Sequence, residues 1–176
     1  MIFSETSLSG AYIIEIQKIE DERGFFARTM DIKKNKEMGL DSNIIQSSIS
    51  YNIKKGTIRG MHYQIEPYEE AKFVRCTKGK IFDVIVDLRN NSETFKKWIS
   101  VELSELNHKI LYIPKGFAHG FQTLEDNSEV FYEITQTFNP EYSRGFRYGD
   151  CAFKIKWPLE ISSMSKKDSE YGLFSE

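Results

Sequence analysis

Apolar and polar residues alternate with a period of two along much of the chain, the signature of strands with one buried face. Ile99, Val101 and Leu103 alternate with Ser100 and Glu102, and in Phe153-Lys154-Ile155-Lys156-Trp157 the alternation is strict. From 130 to 138 one face carries Val130, Tyr132, Ile134, Gln136 and Phe138, while the other carries Glu133, Thr135 and Thr137. These runs predict strands over 99–103, 130–138 and 153–157. Thr77-Lys78-Gly79-Lys80 separates apolar runs at 73–76 and 81–88, which predicts a hairpin with glycine at its turn. Only 31–38 reads as helical, with Asp31 as N-cap and Gly39 as the stop. The polar residues from Ser165 onward read as a loose tail. Many short strands joined by turns bearing Gly, Asn and Pro predict an all-β double-sheet sandwich or barrel with short peripheral helices. No repeat or linker divides the chain, so 1–176 reads as a single domain.

Composition narrows the class. Hydrophobic residues make up 40% of the 176, and 13 Phe, 9 Tyr and 2 Trp can fill a sizeable core, so long disorder is not expected. Lys and Arg number 24 against 26 Asp and Glu, a net charge of −2, which argues against a nucleic-acid or membrane-surface partner. No apolar run reaches the roughly 20 residues of a membrane helix, and the first ten residues lack a signal-peptide pattern. Cys76 and Cys151 are too few for a disulfide framework or zinc cluster. A soluble, cytoplasmic protein is expected.

Three segments hold the unusual polar residues. In Thr57-Ile58-Arg59-Gly60-Met61-His62-Tyr63-Gln64, Arg59 beside Gly60 lets a guanidinium and the backbone approach an anion together, and His62 is a candidate base. Lys72 follows. Taken by composition alone, this segment also fits a turn with a surface arginine and a hydrogen-bonded histidine. The second segment is Pro114-Lys115-Gly116-Phe117-Ala118-His119-Gly120-Phe121, whose Pro-x-Gly-x-x-His spacing resembles a signature of the cupin superfamily, a double-sheet jelly-roll barrel. Cupins often hold a metal with a His-x-His pair, a glutamate and this later histidine. Here His62 and Gln64 break that pair and the chain has 3 histidines, so no metal and no cofactor are expected. The third is Ser165-Lys166-Lys167-Asp168, an ordinary charged stretch unless its carboxylate meets His62, where it would fix the imidazole tautomer.

In order, these segments resemble the nucleotide-sugar 3,5-epimerase family typified by dTDP-4-dehydrorhamnose 3,5-epimerase. The likeness starts at Asp21-Glu22-Arg23-Gly24-Phe25-Phe26 and runs through the Arg59–His62 segment, Ala71-Lys72 and Gly79-Lys80-Ile81-Phe82-Asp83. It continues through the Pro114–His119 segment and Tyr132, and closes at Ile155-Lys156-Trp157-Pro158 and Asp168. The resemblance implies a nucleoside-diphosphate 4-keto-6-deoxy sugar as substrate, epimerised at C3, C5 or both. It implies His62 as the base backed by Asp168, Lys72 beside the developing C4 oxyanion, and Tyr132 returning a proton on the opposite face. Arg23, Arg59, His119 and Lys167 then serve the pyrophosphate, and Phe26 reaches the nucleotide of a partner across a homodimer.

Some positions depart from that family's pattern. Arg28 stands where a glutamate is usual and offers donors only, which suits a base with an acceptor edge, so CDP- or GDP-linked sugars stand beside dTDP. In Gln46-Ser47-Ser48 the family's asparagine is Ser48, Phe138 replaces a tyrosine, and Ser143 replaces a glutamate. Gln46, Ser48, Arg28 and Phe138 thus form the expected base- and sugar-recognition set. A sugar 3,4-ketoisomerase and a non-catalytic nucleotide-sugar-binding cupin are the rival readings of the same fold.

Overall fold

Alternation along the strands closes a core between two sheets. The computed structural model describes residues 1–175. Its strands are β1 (Ile2–Glu5), β2 (Tyr12–Glu15), β3 (Ile19–Asp21), β4 (Gly24–Phe26), β5 (Gln46–Asn52), β6 (Ile58–Gln64) and β7 (Lys72–Lys78). They continue as β8 (Lys80–Asp87), β9 (Trp98–Ser104), β10 (Ile110–Ile113), β11 (Phe117–Thr123), β12 (Ser128–Ile134) and β13 (Ser143–Gly145), with short helices α1 (Ile32–Glu37) and α2 (Lys166–Glu170). One sheet runs β1-β2-β10-β7-β12-β5, the other β13-β6-β11-β8-β9, and β3 with β4 forms a separate hairpin. This is the double-sheet jelly roll expected from the sequence.

Between the sheets lie Val74, Leu111, Ile113 and Val130 from the first and Ile81, Ile85, Leu103, Phe117 and Phe121 from the second. Full burial of each such side chain stabilises by about 1.5–3 kcal/mol. The outer face of the six-stranded sheet is covered by the segment around α1, through Met30, Leu40 and Ile44 on Phe73 and Tyr112. The outer face of the five-stranded sheet is covered by the C-terminal part of the chain, through Phe146, Phe153, Ile155, Trp157 and Phe174.

The helix at 31–38 forms as read, with the Asp31 side chain accepting from the Lys34 N–H. Four other expectations are corrected. The runs flanking Gly79 are not a hairpin: β7 pairs with β10 and β12, while β8 pairs with β11 and β9. The turn carries the chain from one sheet to the other. Gly79 has φ +71°, and a Cβ there would lie 2.6 Å from Ser128 Oγ, so the crossing needs glycine.

The strand expected over 130–138 ends at Ile134. Beyond it the backbone is satisfied by side chains: the Phe138 N–H donates to Gln46 Oε1 at 2.8 Å and the Asn139 N–H to Gln64 Oε1 at 2.7 Å. Residues 153–157 form no strand, because Asp150 O takes the N–H groups of Phe153 and Lys154 and Lys154 sits at φ 52°. Their apolar side chains still pack into the outer cluster, so the alternation reported a buried face without a ladder. The fourth correction is the tail, which forms α2, N-capped by Ser165 Oγ accepting from the Asp168 N–H at 3.0 Å.

Candidate active site

One cavity of about 370 Å³ opens between the sheets, and it gathers most of the residues singled out from the sequence. β6 supplies Arg59, His62 and Gln64, β7 supplies Lys72, β11 His119, β12 Tyr132, β5 Ser48 and Ser50, and the α2 region Lys167 and Asp168. Phe138 and Ser143 complete the wall.

Local strand geometry explains who points inward. On β12 and β7 the residues of one parity face the cavity: Ile134 pairs with Lys72, and Tyr132 stands two residues along on the same face. Arg59 and His62 are three apart and would face opposite sides of a regular strand. The register against β11 shifts between them, with His119 opposite His62 but Phe121 opposite Arg59, and this bulge brings both side chains into the cavity. Gly60 sits at the bulge with φ +135°, where a Cβ would fall 2.5 Å from Gly120 Cα.

His62 Nε2 lies 2.7 Å from Asp168 Oδ1. Burial pushes the Asp168 carboxyl upward, but the His62 bond and charge, the Gly60 N–H and Ser165 outweigh it, and the net direction is down. An ionised carboxylate only accepts, so in the neutral imidazole Nε2 carries the proton and Nδ1 the lone pair. Opposite, Tyr132 is pushed far above the ordinary phenol value by burial and then by the Asp83 carboxylate, so it stays protonated.

Lys72 Nζ lies 2.8 Å from Glu70 Oε1, and both side chains are only 11% exposed. Glu70 Oε2 accepts from Gln64 Nε2 at 3.0 Å, and Gln64 Nε2 also reaches the Tyr68 carbonyl at 2.9 Å. A cation and its counter-charge are thus fixed on the cavity wall. His119 Nε2 lies 2.9 Å from Asp83 Oδ2, with the histidine 6% and the aspartate 0% exposed. Its ring stands edge-on to Tyr132, centroids 6.0 Å apart. Arg59 is aimed by Asn52, whose Oδ1 accepts from Nε at 2.7 Å.

Other expected residues lie elsewhere in the single chain. Gln46 stands beside the site, fastening Phe138. Arg23 is 84% exposed on the β3–β4 hairpin and pairs with Asp21 at 2.6 Å. Phe26, on the same hairpin, and Arg28 border a separate depression with Met1 and Lys34, and Arg28 lies 3.6 Å from Asp31. Arg23, Phe26 and Arg28 therefore do not line this chain's own cavity.

The sequence reading passed over Glu70, Gln64, Asp83 and Ser165 as working parts. Asp83 had a signal, a lone carboxylate inside Ile81-Phe82-Asp83-Val84-Ile85-Val86, since a charge there needs a partner. Ser165 also had one: a serine three residues before Asp168 is a capping signature. Glu70 had none, because pairing with Lys72 two residues on depends on how the chain enters β7. Among the described residues no group of three or more His, Cys, Asp or Glu side chains is placed to hold a metal, and no helix is long and apolar enough to cross a membrane.

Comparison with known proteins agrees with this geometry. The family model for dTDP-4-dehydrorhamnose 3,5-epimerase matches residues 5–176. The dTDP-4-dehydrorhamnose 3,5-epimerase of Methanothermobacter thermautotrophicus is 42% identical over 172 residues, 96% of this chain and 92% of its own. The crystal structure of the enzyme of that name from Elizabethkingia anophelis superposes with a TM-score of 0.95 at 37% identity, covering 99% of this chain and 96% of its own. The dTDP-6-deoxy-D-glucose-3,5-epimerase of Legionella pneumophila, in complex with dTDP-4-keto-L-rhamnose, gives 0.91 at 37% identity over 98% of this chain and 92% of its own. This chain belongs to the dTDP-4-dehydrorhamnose 3,5-epimerase family.

Proposed function

We propose that the chain epimerises C3 and C5 of dTDP-4-dehydro-6-deoxyglucose, with His62, Lys72, Tyr132 and Asp168 performing the chemistry. The observation that carries the assignment is the His62–Asp168 contact at 2.7 Å in the cavity that Lys72 and Tyr132 also line. The C4 ketone acidifies the neighbouring C–H bonds. His62 takes the proton through its free nitrogen while ionised Asp168 stabilises the imidazolium, a role that contributes on the order of 10²–10⁴-fold. Negative charge moves to the C4 oxygen, where the fixed Lys72 ammonium stabilises the enolate without reorganising. Tyr132, held protonated, delivers a proton to the other face, and the carbon inverts.

Arg59 and Lys167 form the cationic side of the cavity for the pyrophosphate, with His119 beside them and Arg59 suited to bidentate contact. Ser48, Gln46 and Phe138 border the sugar and nucleotide. The dTDP-linked ligand of the Legionella relative supports thymidine as the nucleoside. Arg28 meets Asp31 in this chain, which leaves the acceptor-edge argument for CDP or GDP without a contact to support it.

The active unit is a homodimer in this reading. Phe26 is 68% and Ile19 69% exposed on the β3–β4 hairpin, and Ile49 and Ile53 are 62% and 70% exposed on and beside edge strand β5. A second copy would cover such apolar side chains and supply Arg23 and Phe26 to the neighbouring nucleotide. The core clusters interlock along the chain, one joining Leu8 to Val130 and another Met61 to Phe174, which supports one domain. The free thiols Cys76 and Cys151 fit a reducing, cytoplasmic setting.

The test is NMR of dTDP-4-keto-6-deoxyglucose with the protein in D₂O. Loss of the C3 and C5 proton signals, abolished in His62→Ala, is expected. Exchange at one carbon only would restrict the enzyme to a single epimerisation, and exchange only with CDP- or GDP-linked sugar would overturn thymidine.

A further inference from the structure

The ring of Tyr171 fills a slot that a glycine leaves open directly behind His62. Gly145 on β13 is the register partner of His62 on β6. A Cβ at Gly145 would fall 2.5 Å from Cε2 and Cζ of Tyr171, so the ring rests where a side chain would otherwise stand. The ring meets the His62 imidazole edge-on, with centroids 5.8 Å apart and planes at 61°. Its other neighbour is Lys167, whose Nζ lies 5.9 Å from the ring centre.

The segment holding Tyr171 is fastened on both sides. Before it, Asp168 binds His62. After it, Gly172 O accepts from the Arg147 N–H at 2.9 Å, and the Phe174 N–H donates to Asp150 Oδ2 at 2.6 Å. The His62 side chain is 39% exposed, and a single bond to Asp168 fixes the direction of Nε2 but not the plane of the ring. A second contact is needed for that, and the Tyr171 edge supplies it. The Tyr171 hydroxyl is buried without a hydrogen-bond partner among the described residues, so the contact uses the ring and leaves the hydroxyl idle.

We propose that Tyr171, seated against Gly145, is a positioning residue that holds the plane of the His62 imidazole for proton abstraction. The inference rests on His62 acting as the base. It is specific to the ring: phenylalanine should serve as well, and a side chain that empties the slot should not.

The experiment compares full-length Tyr171→Phe, Tyr171→Ala and Tyr171→Leu with the parent enzyme, measuring kcat, KM and melting temperature on dTDP-4-keto-6-deoxyglucose. Tyr171→Phe is expected to keep the parent kcat. Tyr171→Ala should lose roughly ten- to a hundredfold in kcat, the scale of a misplaced reacting group. Its KM should rise only about two- to fivefold, as a weak exposed cation–ring contact to Lys167 is lost. Tyr171→Leu keeps the slot filled without a flat edge, so it should fold even where the alanine does not, and it should lose kcat too. A merely structural tyrosine would lower the melting temperature of these variants and leave kcat per folded molecule unchanged, which would overturn the proposal. Equal losses in Tyr171→Phe and Tyr171→Ala would overturn it as well, by placing the role on the hydroxyl. An inactive His62→Ala beside a fully active Tyr171→Ala removes only the positioning role, whereas a His62→Ala enzyme that still exchanges the C–H protons removes the base reading beneath it.

Discussion

Two histidine–aspartate pairs stand side by side in this cavity, built from the same side chains and put to different use. His62 and His119 are register partners on adjacent strands. Asp168 reaches His62 from a short helix at the mouth of the cavity, while Asp83 reaches His119 from within the five-stranded sheet. Burial presses on both carboxyls. At Asp168 the His62 bond and the donors of Gly60 and Ser165 overcome it, and the carboxyl titrates below its ordinary value. At Asp83 burial is complete and wins over His119 and Lys72, and the carboxyl titrates above it. The same pair therefore gives a half-exposed imidazole backed by a stable anion in one place and a buried polar contact in the other. What decides between them is how completely the carboxylate is buried, with the Gly60 and Ser165 donors adding to the His62 bond at Asp168.

The comparison is broken or sharpened by a graded set of variants. The largest effect is expected from His62→Ala, a loss of about 10²–10⁴-fold in kcat, read by steady-state kinetics. Its melting temperature, read by thermal unfolding, should fall less than that of His119→Ala, because Asp168 keeps the Gly60 and Ser165 donors. His119→Ala should reverse the emphasis in stability. It strands Asp83, and breaking a buried pair in this way costs about 3 kcal/mol or more in chemical denaturation. Because the Asp83 shift is upward, the folded protein takes up its proton more readily than the unfolded chain. That cost should therefore shrink as pH falls through the folded value, and a cost that grows toward acid would contradict the assignment.

Glu70→Gln keeps the shape and the bond from Gln64 but removes the counter-charge of Lys72. A loss of roughly tenfold in kcat is expected, the scale of one charged hydrogen bond, with KM nearly unchanged. The smallest effect is the pH dependence of stability through Asp168. Its shift is downward, so its contribution is complete above the ordinary 3.8 and is lost as pH falls through the folded value. The stability gap between the parent and Asp168→Asn should be constant near neutrality and close below about pH 4.

Much of this was legible in the chain. Period-two patterns located β9 and the inward face of β12, and Asp31 and Gly39 bounded α1. Ordered motifs named His62, Lys72, Tyr132 and Asp168 before the cavity gathered them. Sheet membership was not legible, because Gly79 permits a tight turn whether the chain folds back or crosses over. The strict alternation at 153–157 misled for a related reason: it records which side chains are buried, and only pairing partners far away in sequence decide whether a ladder forms. Glu70 was hidden because its pairing depends on the entry into β7. Tyr171 was hidden because its seat is made by the absence of a side chain at Gly145. Arg23, Phe26 and Arg28 lie on an exposed hairpin and depression away from this chain's cavity, a placement that motifs within one chain do not reveal.

The central claim is that two groups on opposite faces divide the proton traffic, His62 removing and Tyr132 returning. It is tested most directly by Tyr132→Phe with dTDP-4-keto-6-deoxyglucose in D₂O, following deuterium entry and epimer formation together by NMR. The account predicts that deuterium still enters at C3 and C5 through His62 while little inverted product forms. Inverted product appearing at the parent rate would contradict it.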